Sequence, residues 1–270
     1  MIIYIKVLTA VLLLSLNSGF SQYIPLNNKV FSNGETLVYK VKWSFIRLGT
    51  ITINTIADQN DPNLVKVTML IESSPTLFFI NINEYNETII DKRTCTTISY
   101  YGDHRNRSDR LLIYSSFDED TQTCVFSIFD DVKKKHTKID TIYYSTKYVD
   151  GPSLFFFTRV YSKSGVTHNI PTLIDGSIEN TKLIFTEKRE KIEVEAFSVP
   201  VLTRKYYGTA EWEGGTSQGL SGEFLGYITD DDAAILVYAE VKVLLGKLKI
   251  ELESFYRNDG FYKTEKISNK

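Results

Sequence analysis

Apolar and polar residues alternate along most of this chain. Over Glu35–Trp43 one face carries Leu37, Tyr39, Val41 and Trp43, and polar residues take most of the other. A period of two is typical of a half-buried β-strand. Strands with similar alternation or composition are predicted over 49–57, 64–72, 111–116, 124–129, 138–144, 166–174, 182–186, 190–197, 204–212, 222–229, 234–245 and 247–255.

Helical signals are few. The segment 152–162 follows Asp150-Gly151-Pro152, which places proline at an early helical position, and its apolar residues fall near helical spacing. The apolar patch 74–82 is expected to form one or two turns at most. The predicted fold class is therefore mainly β: an antiparallel open barrel or curled sheet with one main helix around 152–162.

The N-terminus has the pattern of a secretory signal. Residues 7–16 are mostly apolar, a lysine precedes them, and small or polar residues lead to Ser21. Cleavage after Ser21 is predicted; a retained membrane anchor is the alternative, although the apolar run is short for a bilayer. No cysteine stands at the cut for lipid attachment. The mature chain, 22–270, is expected to be one β-rich domain, or two β halves (31–150 and 166–257) joined by the helix.

Composition and charge narrow the functional classes. The chain has 31 Lys and Arg against 33 Asp and Glu, with no dense basic block, which argues against nucleic-acid binding. The basic run 133–138 is flanked by aspartates and is expected to be a solvated turn or strand end. We expect an exported protein, periplasmic or associated with the cell envelope, with no integral membrane segment in the mature chain.

The two cysteines, Cys95 and Cys124, both remain after the predicted cleavage. In an exported chain an even pair is able to form a disulfide. Two unpaired, partly buried thiols on neighbouring strands are the alternative, and both readings stay open.

Recognisable catalytic chemistry is missing from the sequence. The three histidines lie far apart outside any metal-ligand spacing, so they are expected to be surface or loop residues. Residues 219–222 are one residue shorter than the G-x-S-x-G nucleophile elbow of serine hydrolases. Asp230-Asp231-Asp232 is expected to be a turn. No nucleotide-binding glycine motif occurs. We therefore predict no catalytic residue, metal or cofactor; a hydrolase acting through residues scattered in sequence remains the enzymatic alternative.

The chain is rich in aromatic residues, with 17 Tyr, 16 Phe and 2 Trp. Adjacent aromatic pairs such as Tyr206-Tyr207 place rings on both faces of a strand. Ordinary core packing is one explanation. The other is a concave sheet that grips an apolar ligand, with Phe155–Phe157 on the helix closing its mouth.

Three short motifs follow one another along the chain: Gly34-Glu35-x-Leu37-x-Tyr39-x-Val41-x-Trp43 followed by Gly49, Asp150-Gly151-x-Ser153-Leu154 followed by Arg159, and Gly226-Tyr227-Ile228-Thr229-Asp230-Asp231. In this order they resemble domain-of-unknown-function family 3108, a family of exported bacterial proteins without an established activity. In the late motif Leu236-Val237 replaces the Pro-Val pair of the family. The resemblance spans about residues 31–255 and implies an architecture similar to periplasmic lipoprotein carriers, in which an open barrel holds acyl chains around a helix.

These observations lead to two main hypotheses. The first is a non-enzymatic carrier or sensor that buries a lipid or other apolar ligand, with Trp43, Phe155, Phe156 and Tyr227 near the cavity. The second is an envelope scaffold that binds a protein or glycan through exposed edges or loops. In either case we expect Arg159 to form a partly buried clamp with Asp150 or Asp230. Charged residues on one face of 247–253 disfavour a barrel whose outer surface contacts lipid.

Overall fold

The computed structural model describes residues 29–77, 81–118, 120–144, 146–212, 222–243 and 246–260. Three predicted features lie wholly or partly outside the described residues. They are the signal peptide, residues 78–80 of the apolar patch 74–82, and residues 219–221 of the glycine-rich turn. The predictions made for them stay predictions.

The described chain consists of a short 3-10 turn (Lys29–Phe31), one α-helix and fourteen strands. The helix is α1 (Gly151–Val160). The strands are β1 (Glu35–Trp43), β2 (Ile46–Ala57), β3 (Leu64–Ser73), β4 (Ile82–Asp91), β5 (Thr96–Asn106), β6 (Asp109–Asp118), β7 (Thr123–Asp130), β8 (Lys135–Tyr143), β9 (Thr167–Ile174), β10 (Ser177–Ile192), β11 (Val201–Glu211), β12 (Gly222–Thr229), β13 (Leu236–Val243) and β14 (Gly246–Tyr256).

All fourteen strands belong to one antiparallel sheet. Its order is β8-β7-β6-β5-β4-β3-β2-β1-β14-β13-β12-β11-β10-β9, so nearly every strand pairs with its neighbours in sequence. The exception is the pairing of β1 with β14, which joins the first and last strands. Strands β8 and β9 are left as the two edges, and α1 connects them. The predicted fold class, an open curled antiparallel sheet with one main helix, is confirmed.

The sheet curls around α1. One cluster of buried side chains combines Phe156 of the helix with residues of distant strands, such as Val65 on β3, Ile170 on β9 and Leu252 on β14. Strands so far apart in the sheet order share one core only if their common face is concave. We call this the concave face, and its opposite the convex face.

The edge strands β8 and β9 do not pair through a ladder of backbone hydrogen bonds. Side-chain contacts connect these two edges instead. The Lys138 ammonium of β8 donates to the carbonyl oxygens of Asp175 (3.0 Å) and Gly176 (3.1 Å) in the β9–β10 turn. Gly176 has φ +76°, and a Cβ there would lie 2.4 Å from the Phe126 ring, so only glycine fits this close approach. A second apolar cluster fills the seam: Ile113, Cys124, Phe126, Tyr144, Tyr148 and Leu173.

The structure corrects several sequence-based boundaries. Strands β4 and β5 were not predicted. Strand β10 covers the strand expected over 182–186 and only the start of the one expected over 190–197, because it ends at Ile192 and residues 193–197 form no strand. Residues 75–76 of the 74–82 patch form only a turn. The basic run 133–138 begins in the β7–β8 turn, as expected, with Lys133 paired to Asp130.

The disulfide alternative is wrong. Cys95 and Cys124 are both free thiols and both are buried. They occupy different apolar clusters, Cys95 in the main core and Cys124 in the seam. Burial raises the pKa of the Cys124 thiol to about 11, which keeps it in the unreactive protonated form.

Candidate functional site

The start of α1 is tied to the sheet by buried hydrogen bonds. Asp150 is the N-cap: its carboxylate accepts from the Ser153 backbone N–H at 2.7 Å and from the Thr88 hydroxyl at 2.8 Å. The Asp150 backbone N–H donates to the Thr97 hydroxyl at 3.0 Å. The cap therefore also positions the helix against β4 and β5.

The pKa of Asp150 is raised above its ordinary value, chiefly because burial disfavours the charged carboxylate. A carboxyl whose folded pKa is raised contributes stability below its unfolded pKa of about 3.9, and that stability is lost as pH rises through the folded value. Asp150→Asn keeps an acceptor for Ser153 without the charge. We therefore expect this variant to become more stable relative to the wild type as pH rises from about 4 to about 7.

Urea denaturation of both proteins across that pH range measures the effect. Asp150→Ala is the matched control, because it removes the cap itself and is expected to cost about 1–2 kcal/mol. A wild type that gains stability over Asp150→Asn with rising pH would contradict the prediction.

The helix ends at a buried ionic network. The Arg159 guanidinium binds both carboxylate oxygens of Glu35, at 2.6 and 3.0 Å, and donates to the carbonyl oxygens of Ala233 and Ala234. Arg257 also binds this carboxylate. The side chains of Arg159, Glu35 and Arg257 are all fully buried. This network anchors the C-terminal end of α1 to β1 and to the β12–β13 loop.

The partner expected for Arg159 is therefore corrected. Asp150 caps the other end of the helix, and Asp230 pairs with Arg204 and with Arg189 (2.8 Å) at the end of β12. The turn predicted at 230–232 is present, because the Asp231 carboxylate accepts from the backbone N–H groups of Ala233 and Ala234.

Burial along the concave face changes from one end of the sheet to the other. At the closed end, near Glu35, the apolar residues Leu37, Ile53 and Val67 are fully buried. Towards the β1–β2 turn, the concave faces of these and neighbouring strands carry apolar side chains that are only half-buried or are exposed. These residues, which we call the hollow, are Val41, Trp43, Ile51, Met69, Ile71, Phe155, Phe224, Val241, Leu248 and Ile250.

The strand register places the hollow on one face. Tyr39 pairs with Ile51, and Trp43 pairs with Leu248, and directly opposed residues of an antiparallel pair point to the same side. The Phe155 ring of α1 packs edge-on against Tyr39, with 6.1 Å between ring centroids. This half of the concave face is thus lined by apolar side chains that water partly reaches.

The four residues predicted to bind a ligand separate into three places. Trp43 lies at the rim of the hollow with 39% of its surface exposed, and Phe155 lies at its base. Phe156 is fully buried and stacks on Phe31 at 5.2 Å. Tyr227 is on the convex face, where its ring packs near Tyr238. The structure therefore brings only Trp43 and Phe155 to the hollow.

One wall of the hollow carries a group of polar residues that the sequence did not single out, which we call the polar corner: Glu84, Asn86, Tyr100, Gly102 and His104. Tyr100 and His104 both contact the Asn86 side-chain oxygen, at 2.5 and 2.8 Å. A Cβ on Gly102 would lie 2.8 Å from the Tyr100 hydroxyl oxygen, so glycine leaves room for this network. Isolated polar residues in a strand carry no local signal, which is why only the fold reveals them.

The expectation of surface or loop histidines is wrong for two of the three. His104 belongs to the polar corner on β5. His168 on β9 lies among the rings of Phe157, Tyr161 and Phe185, with centroids 4.6–5.8 Å away. Burial lowers the pKa of His168 below its ordinary value.

A separate depression lies beside the β10–β11 loop. It is lined by Glu193, Val194, Glu195, Phe197, Ser198, Val199, Pro200 and Glu251. The Lys40 ammonium forms ion pairs with Glu195 and Glu251 at its side. Because Lys40 already pairs with two of its three carboxylates, this depression is a weaker binding candidate than the hollow.

No group of three or more histidine, cysteine, aspartate or glutamate side chains is arranged to hold a metal ion within the described ranges. Over the same ranges, no helix has the length and apolar character that crossing a membrane requires.

A family model described as a protein of unknown function, DUF3108, matches residues 38–253. No curated protein matches. Among solved structures, a β-barrel-like protein with domain of unknown function DUF1849 from Brucella abortus is 5% identical, with a TM-score of 0.57 over 85% of this chain and 100% of its own. This likeness concerns the fold alone.

Two further structures are more distant. A candidate exported protein with a YmcC-like fold from Bacteroides fragilis is 8% identical, with a TM-score of 0.36 over 85% of this chain and 100% of its own. A candidate lipoprotein from Parabacteroides distasonis is 11% identical, with a TM-score of 0.32 over 84% and 96%. Nothing in the description of the family or of the Brucella abortus structure suggests catalysis.

Proposed function

We propose a function for this chain, which belongs to the DUF3108 family of proteins of unknown function, from the geometry of its concave face. The protein binds the apolar part of a lipid or similar ligand in the hollow and catalyses no reaction. It acts outside the cytoplasm, in the periplasm or at the cell envelope. This location is inferred from the signal-like pattern of residues 1–21.

The observation that carries this function is the change in burial along the concave face. Helix α1 fills the closed end, where Leu37 and Ile53 are inaccessible, and the apolar rows then continue into the hollow. Each methylene group of a ligand that leaves water there contributes about 0.8 kcal/mol. An acyl chain of ordinary length would therefore bind tightly with few polar contacts.

Binding is testable with a polarity-sensitive apolar dye and with mass spectrometry. The full chain is expressed for export and purified without detergent, and its organic extract is searched for a stoichiometric apolar molecule. We expect Ile51→Lys to weaken dye binding at least about tenfold, because it places a charge in the hollow. Ile56→Lys is the matched control: Ile56 lies on the same strand, faces the other side and is 44% exposed.

A folded wild type that carries no apolar molecule and binds no dye would overturn this function. Equal loss of dye binding in the two lysine variants would also contradict the hollow as the site.

A second candidate function is docking of a protein or glycan on the convex face. It is favoured by a row of tyrosines across β4–β6, where Tyr101 lies 5.0 Å from Tyr114 and 6.3 Å from Tyr85 between ring centroids. Tyr114 is 45% exposed. Retention on immobilised envelope glycans that is lost in Tyr114→Ala, while dye binding is unchanged, would support it.

A further inference from the structure

The polar corner is continuous with the apolar hollow. Met69 is the direct cross-strand partner of Asn86, and Ile71 is the partner of Glu84. On the other side of β4, Glu84 is opposite His104. Opposed side chains on one face have Cβ atoms about 4.5–5.5 Å apart. A ligand lying on Met69 and Ile71 is therefore next to Glu84 and His104.

The hydrogen bonds of the corner leave an acceptor unused. The Asn86 amide nitrogen donates to the Met69 carbonyl oxygen at 3.3 Å, which orients the amide oxygen towards Tyr100 and His104. An amide oxygen only accepts, so the His104 ring donates through Nε2, and in the tautomer that carries its single proton there Nδ1 is an acceptor. That Nδ1 is buried and has no hydrogen-bond partner among the described residues.

The geometry around Gly102 indicates the direction of this acceptor. A Cβ on Gly102 would approach the Nε2 and Cδ2 atoms of His104, at 3.0 and 3.3 Å. The Nδ1 edge of the ring is therefore turned away from Gly102. Gly102 is buried, whereas His104 is half-buried.

The corner is also electronegative. Glu84 is half-buried and forms no hydrogen bond or ion pair with another described residue. Burial first, and then the negative charges of Asp150, Glu84 and Asp175, raise the pKa of Tyr100 well above its ordinary value. Two neighbouring acceptors in a negative field favour a group that donates hydrogen bonds and carries positive charge.

We infer that the ligand is an amphiphile with a primary ammonium head group, bound by Glu84 beside the His104 Nδ1 edge, and with an apolar tail along Met69 and Ile71. This inference rests on the proposed function, because it assigns the chemistry of the ligand to the same hollow. It excludes fatty acids as the preferred ligands, since their carboxylate would face Glu84.

Four probes test the head group and the tail separately, each titrated below its micelle-forming concentration with isothermal calorimetry. Dodecylammonium, dodecanol and dodecanoate share one tail, and butylammonium has the head without that tail. We expect dodecylammonium to bind at least about tenfold more tightly than dodecanol, with dodecanoate weaker than both. Butylammonium is expected to bind at least about a hundredfold more weakly than dodecylammonium.

Glu84→Gln is expected to remove the tenfold advantage of dodecylammonium and to leave dodecanol binding unchanged. Glu72→Gln is the matched control, because Glu72 is an exposed carboxylate on the adjacent strand and faces the convex side. It removes the same charge and should leave all four affinities as in the wild type.

The possible outcomes distinguish a failure of the ammonium head group from a failure of the proposed apolar binding. Equal binding of the three twelve-carbon probes, or an unchanged preference in Glu84→Gln, would overturn the ammonium head group and leave the apolar hollow intact. Binding of butylammonium as tight as dodecylammonium would make the corner a small-amine site and overturn the amphiphile. Failure of every probe to bind the wild type would overturn both proposals.

Discussion

Glu35→Gln is expected to lower the free energy of unfolding by about 3–5 kcal/mol, the range for breaking a buried ion pair by removing one partner. Glutamine has nearly the same shape as glutamate, so the substitution leaves no cavity. It leaves the buried Arg159 and Arg257 guanidiniums without the carboxylate that both bind. Asp259 still pairs with Arg257 at 2.6 Å, so Arg159 bears most of the uncompensated charge.

Urea denaturation followed by circular dichroism measures this loss. The control is Glu253→Gln, the same substitution on β14 in the partly exposed pair between Glu253 and Arg47. Exposed pairs contribute about 0–1 kcal/mol, so the control should remain close to the wild type. Losses below about 1 kcal/mol in both variants would contradict the buried network as the anchor of α1. If Glu35→Gln does not fold, its soluble yield beside that of the control gives the same comparison.

Phe156→Ala is expected to cost about 3–5 kcal/mol, as for other large aromatic side chains removed from a core. Phe156 is fully buried and stacks on Phe31. Its ring also lies 5.0 Å from the Arg159 guanidinium carbon. The alanine variant loses the apolar transfer free energy of the ring and leaves a cavity beneath the 3-10 turn, which the strands around it cannot readily collapse to fill.

Tyr227→Ala is the matched comparison, because sequence reasoning placed both rings in one ligand site. Tyr227 is half-buried on the convex face, and cross-strand pairs of that kind contribute about 0.2–1 kcal/mol. Thermal and urea denaturation should therefore separate the two variants clearly. Equal losses of stability would contradict the assignment of the two side chains to a closed core and an open face.

The strands that the sequence predicted well are those whose faces differ strongly in polarity. For β1 the predicted range, Glu35–Trp43, equals the observed strand. Strand β4 was missed because its concave face is polar: Thr88 binds the helix cap, and Asn86 and Glu84 form the polar corner. Where a strand faces functional or capping groups in place of a core, alternation disappears and the local signal is lost.

The candidate site, like the strands, was predicted only in part. Aromatic content pointed to an apolar surface, and Trp43 and Phe155 do lie at the hollow. Tyr227 does not, because strand periodicity separates two faces without telling which of them becomes concave. Likewise the helix motif indicated a buried arginine clamp, but the partner of Arg159 is 124 residues away on β1.

The sequence alone determined the mainly β class, the single helix beginning after Asp150 and the division of each regular strand into two faces. These properties depend on neighbouring residues, through backbone sterics, capping and the period of two. Only the tertiary structure decided the joining of β1 to β14, the direction in which the sheet curls, the Glu35 network and the meeting of hollow and polar corner. Those depend on contacts between residues far apart in the chain, whose geometry exists only once the strands have paired and curled around α1.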